Sequence, residues 1–67
     1  MRSFIGVRVK AIHDGVEETG MVSRIAGDKI VITTAPGVSV EAPLDDADIY
    51  KADEADMKDG IEFIIEW

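Results

Sequence analysis

A small, mainly β, mostly antiparallel barrel is the fold class that this sequence predicts, and three observations predict it. Across its 67 residues, short runs alternate apolar and polar side chains with a period of two. Gly, Pro and Asp stand between those runs, where tight turns need them. No segment of helical period is long enough to be stable by itself. The organising stretch is GMVSRIAGDKIVITTAPGVSVEAPL, residues 20–44, which reads as three strands and two turns.

Ile5, Val7, Val9 and Ala11 alternate with Gly6, Arg8, Lys10 and Ile12. A first strand is therefore expected over residues 4–12, with Arg8 and Lys10 toward solvent. His13-Asp14-Gly15 breaks it, because Asp and Gly tolerate turn geometry. Residues 16–19 read as a loop or irregular extended segment, and a second strand follows over residues 20–26. Gly27-Asp28 is a hairpin turn with Gly first, as type II′ requires. A third strand covers residues 29–34. Ala35-Pro36-Gly37 suits a turn with Pro second and Gly third. The fourth strand, residues 38–42, alternates Val38, Val40 and Ala42 with Ser39 and Glu41, and Pro43 ends it.

Leu44-Asp45-Asp46-Ala47-Asp48 is expected to form a turn or a single helical turn with an Asp cap. Ile49-Tyr50-Lys51 reads as a short fifth strand. Residues 52–59 are charged and lack β-branched side chains, which suits one or two helical turns ended by Gly60. The segment Ile61 to Trp67 is a terminal strand. Ile61, Phe63, Ile65 and Trp67 share one face; Glu62, Ile64 and Glu66 share the other. A strand this apolar should pair inside the sheet or across an interface. The expected core is Val7, Val9, Ile25, Ile32, Val40 and Phe63. Met21 reads as core filling, whereas Trp67 either closes the barrel or anchors a partner.

The length implies one domain, residues 1–67, near the lower limit for a single core without staples. The chain has no Cys, Asn or Gln, which excludes disulfides, Cys-based metal sites and N-glycosylation. No run approaches the ~20 apolar residues that span a bilayer. Arg8 and Lys10 interrupt the apolar core that a leader over residues 1–12 would need. A soluble cytoplasmic protein without membrane contact is the expectation.

Fourteen acidic and seven basic residues give a formal net charge of −7, and the excess is uneven. Up to Gly37 the chain is nearly balanced; from Val38 onward only Lys51 and Lys58 offset ten carboxylates. That composition disfavours phosphate backbones, whose affinity comes from Lys and Arg. It favours solubility and attraction to a basic partner. Plain solvation of a small surface is the competing reading.

The words VRVKAIHDGVEETGMVSRIAGDKIVITT and VSVEAPLDDADIY, with the turn Pro43-Leu44-Asp45-Asp46, resemble SH3-like small barrels of the KOW, Tudor and Sm type. In those modules such a turn precedes the closing strand. The likeness spans Phe4 to Lys51. It implies binding of protein or nucleic acid and not catalysis. The chain departs from the family's nucleic-acid binders in lacking a basic face. It departs from its methyl-lysine readers in lacking an aromatic cage: Phe4, Tyr50, Phe63 and Trp67 are its only aromatics.

No catalytic, cofactor or metal motif emerges. An EF-hand register set on Gly60 would place Ala55 and Met57 at its first two ligand positions, where neither can serve. His13 beside Asp14 has no nucleophile motif to act on. A chain this small is also expected to lack a pocket of ~300 Å³. The sequence therefore reads as no enzyme and as needing no cofactor. It reads as a protein-binding module, an acidic inhibitor or adaptor that engages a basic, nucleic-acid-binding protein surface. The contact residues would be Asp45, Asp46, Asp48, Asp53, Glu54, Asp56, Asp59 and Trp67. One alternative is a homo-oligomer joined through Ile61 to Trp67 as an edge strand. Another is a nucleic-acid module using Arg8, Lys10, Arg24 and Lys29 on one face.

Overall fold

Turn chemistry lays out the first four strands. In the computed structural model, which describes residues 4–67, they are β1 (Arg8–His13), β2 (Val16–Ala26), β3 (Lys29–Ala35) and β4 (Val38–Pro43). Asp14 and Gly15 both adopt left-handed backbone, φ 51° and 81°, and His13 pairs with Val16. This is the two-residue hairpin that Asp-Gly favours, because its twist matches that of the flanking strands. Residues 16–19, expected as a loop or irregular extended segment, are accordingly regular strand. The turns at Gly27-Asp28 and Pro36-Gly37 fall where the sequence places them.

β2 serves two partners in succession. Its first half pairs with β1 and its second half with β3, and Met21 faces both Arg8 and Thr33. The strand bends between the two. A Cβ on Gly20 would lie 2.5 Å from the Thr33 carbonyl oxygen and 2.8 Å from Ile32 Cγ2, so only glycine lets the strands approach there. Past Val22 a bulge shifts the register, and Ser23 Oγ donates to the Val31 carbonyl at 3.2 Å.

The C-terminal part adds β5 (Asp48–Lys51), a single helical turn α1 (Glu54–Met57) and β6 (Phe63–Glu66). The result is one mixed sheet in the order β4-β3-β2-β1-β6-β5. The sheet is mainly antiparallel, with one exception: β6 runs parallel to β1, Val9 facing Phe63 and Ile12 facing Glu66. That agrees with the mostly antiparallel pairing expected, but the expected barrel needs correcting, since the sheet is not closed. The strand after the Pro43-Leu44-Asp45-Asp46 turn, β5, pairs with β6 and not with β4. The segment Ile61 to Trp67 is not an edge either. β1 takes one side of β6 and β5 the other, so the two edges are β4 and β5.

Alternation puts Val7, Val9, Ala11, Val22, Ile30, Ile32, Ala42 and Ile65 in one core. The sheet covers this face by curling over it, with Phe4, Val40, Ala47, Phe63 and Trp67 packed at the margin. In a flat sheet β4 would lie about 14 Å from β1. Here Val40 of β4 and Ala11 of β1 line a common cavity, which fixes the concave side. Val7, Val9 and Ile32 are buried as expected, and Val40 and Phe63 are half-buried. Ile25 is 44% exposed: it follows the bulge and stands two residues from the hairpin turn, where nothing covers it. Met21 is 50% exposed, because its alternation with Gly20 and Val22 points it outward.

The convex side has a smaller core of Ala52, Ile61 and Ile64, packed against Ile12. β6 is therefore apolar on both faces, as an interior strand should be. The segment carrying α1 crosses this side. Asp53 caps α1, accepting from the Asp56 amide at 3.1 Å. Lys10 Nζ donates to Asp56 Oδ1 at 2.5 Å, and both side chains are only about a fifth exposed. The hydrogen bond to Asp56 raises Lys10 above its ordinary pKa; the same bond holds the Asp56 carboxyl below the usual carboxylate range. No helix of the described residues is long and apolar enough to cross a membrane.

Candidate functional site

The end of the sheet where β1 and β6 finish carries the most chemistry. Alternation along β1 brings Ala11 and His13 to the concave side; the register with β2 adds Glu18 opposite Ala11 and Val16 opposite His13. Trp67 follows β6 in the same row. Its amide donates to the Ile12 carbonyl at 3.0 Å, its indole stacks on the His13 ring with centroids 4.9 Å apart, and its carbonyl lies 3.1 Å from His13 Nδ1. Trp67 is thereby fixed against the ends of β1 and β6.

Ala11, His13, Asp14, Val16, Glu18, Val40, Glu41 and Trp67 line an open groove of about 470 Å³. This volume corrects the expectation that so short a chain has no room for a pocket. The curl of the sheet, and not a second layer, creates it. No Lys or Arg among the described residues lines it. Glu41 is held by Lys29 at 3.6 Å, and Asp14 lies 3.5 Å from His13. Glu18 has no ion pair or hydrogen-bonding partner among the described residues.

The eight residues singled out in the sequence do not form one patch. Asp45 and Asp46 are exposed in the turn before β5, and Asp48 opens β5. Asp48 faces Glu66, which faces Ile12, which faces Glu17, so this row runs along the convex side, the face opposite the groove. Asp53, Glu54 and Asp59 are exposed around α1, beyond the other end of β5. Asp56 is withdrawn into its pair with Lys10. The acidic run is thus two groups at opposite ends of β5. Of these carboxylates, the strand register sets Asp48 beside the C-terminal end of β6, through its pairing with Glu66.

Sequence reasoning missed His13, Val16, Glu18 and Val40 as neighbours. The signal was available in Asp14-Gly15, whose hairpin geometry fixes the register of residues 16–19 against β1. The four cations of the nucleic-acid alternative do share the convex side, since Arg8 and Lys10 alternate away from the core and Arg24 and Lys29 flank Val31 likewise. Two of them, Lys10 and Lys29, are already paired with carboxylates. Among the described residues, no group of three or more His, Asp or Glu side chains is placed to hold a metal ion. Comparison with protein-family models, curated proteins and solved structures finds no match to this chain.

Proposed function

We propose that the domain is a protein-binding module that recognises a basic segment of its partner. The observation that carries this reading is the groove: an apolar floor with Asp14, Glu18 and Glu41 at its margin and no Lys or Arg of the described residues lining it. Asp48, Glu66 and Glu17 add negative charge on the opposite, convex face of the same strands, and Asp45 and Asp46 are exposed in the turn before β5. Such a field speeds encounter with a basic surface and repels acidic ones. An inhibitor or adaptor that occludes the phosphate-binding Lys and Arg of a nucleic-acid-binding protein is the concrete form of this proposal. The likeness to an SH3-like barrel, left open between β4 and β5, belongs to the same proposal.

The test is calorimetric titration with an octapeptide of alternating Arg and Gly, and with its Glu counterpart, at two salt concentrations. The basic peptide should bind and the acidic one should not. Affinity should fall as the Debye length shortens from about 30 Å at low salt to about 8 Å at physiological salt. Equal affinity for both peptides, or no dependence on salt, would remove the reading.

A further inference from the structure

Building on that reading, we infer that the groove is a seat for a single arginine side chain of the partner. The chemistry follows from what each wall offers. Ala11, Val16 and Val40 form an apolar floor on which a three-methylene stem can lie. Trp67 supplies an aromatic surface at the groove. A guanidinium is planar and weakly hydrated, and it stacks on such rings, whereas an ammonium is a compact, strongly hydrated charge. Glu18 supplies the counter-charge. It is the lining carboxylate whose side chain has no partner among the described residues, Glu41 lying by Lys29 and Asp14 beside His13. The arginine would therefore complete an ion pair that the described residues leave open.

Trp67 is the only tryptophan in the chain, so its fluorescence reports on the groove directly. The probe is the pentapeptide acetyl-Gly-Gly-Arg-Gly-Gly-amide, compared with versions carrying lysine or the neutral isostere citrulline. The arginine peptide should give a saturable change, the lysine peptide a weaker one and the citrulline peptide none. Glu18→Gln, at an exposed position, should weaken the arginine response by about threefold to tenfold. An equal response to citrulline or lysine, or an unchanged affinity in Glu18→Gln, overturns the assignment. Should the Arg-Gly octapeptide bind with the expected salt dependence while the pentapeptide leaves Trp67 unmoved, the groove is not the seat but the module reading stands. Failure of both peptides removes both.

Discussion

The strands from β1 to β4 and the segment from β5 to β6 reach the same sheet by different routes. In the first region every strand pairs with its neighbour in sequence, and two-residue turns fix the register. In the second, β6 must find β1 from the far end of the chain, with Val9 facing Phe63 and only a one-turn helix in the connection after β5. The local route costs little loop entropy; the distant one must recover a larger cost through burial. β6 recovers it on both faces, with Ile65 in the concave core and Ile64 under the α1 segment. The difference teaches that the acidic end of the molecule, Trp67 included, is placed by apolar contacts of β6 and not by its own charges.

The largest effect should come from testing that dependence. Ile32→Ala in the meander and Ile65→Ala in β6 both delete fully buried side chains. Each should cost about 2–5 kcal/mol, close to the whole stability of so small a domain. If the two regions are one cooperative unit, urea unfolding of the Ile65→Ala protein stays a single transition by fluorescence and circular dichroism alike. A variant in which Trp67 changes early while the β signal persists would show that the C-terminal segment detaches, and the comparison would break.

Next in size is the bend of β2. Gly20→Val drives a side chain into the Thr33 carbonyl and Ile32. Overpacking of this kind should cost about 1–3 kcal/mol by chemical denaturation. A neutral result would mean that β2 can straighten, and the groove that depends on the curl would then lose its Trp67 response to ligand.

The pair that ties the two regions together, Lys10 with Asp56, is tested by pH. The folded pKa of Asp56 is lowered, first by its hydrogen bond from Lys10, so its contribution is complete above the ordinary aspartate range. It is lost as the pH falls through the lowered folded value. The same bond raises Lys10, so on the alkaline side the pair is complete below the ordinary lysine range and is lost as the pH rises through the raised folded value. Melting temperatures of wild type and Asp56→Asn should differ at neutral pH and converge as the acid limit is approached. A gap that persists unchanged in acid would show that Asp56 acts through packing alone.

Much of the sheet was legible in the sequence for a physical reason: period-two alternation and Gly or Pro turns are local signals. Val7, Val9 and Ile32 follow from alternation alone. Ile25 does not, because the bulge after Val22 is a tertiary accommodation that no residue type at Ser23 announces. The parallel place of β6 was illegible for a related reason. Its apolar faces say that it is buried but not beside which strand. The groove required both the Asp14-Gly15 hairpin register and the curl made possible at Gly20 before Glu18, Val40 and Trp67 could be seen as neighbours. The acidic residues were legible as exposed but not as divided, since their division depends on where β5 ends.

The smallest expected effect has an unusual sign. Asp48 and Glu66 stand directly opposite each other in the antiparallel pair of β5 and β6, on the same face. Like charges in that position oppose pairing, by roughly 0.2–1 kcal/mol. Tyr50 Oη donates to Glu66 at 3.3 Å and eases the burden on one partner only. Asp48→Asn should therefore make the domain more stable by that amount at low salt. Added salt should stabilise wild type more than the variant and close the gap, because both carboxylates are exposed and screened. If the row Asp48–Glu66–Glu17 serves recognition, the same variant should bind the Arg-Gly octapeptide more weakly while melting higher, the usual exchange of stability for a charged binding surface. A variant that melts higher and binds equally well would leave the repulsion real but detached from binding. A variant that melts lower would show that Asp48 holds its turn by a local hydrogen bond outweighing the repulsion.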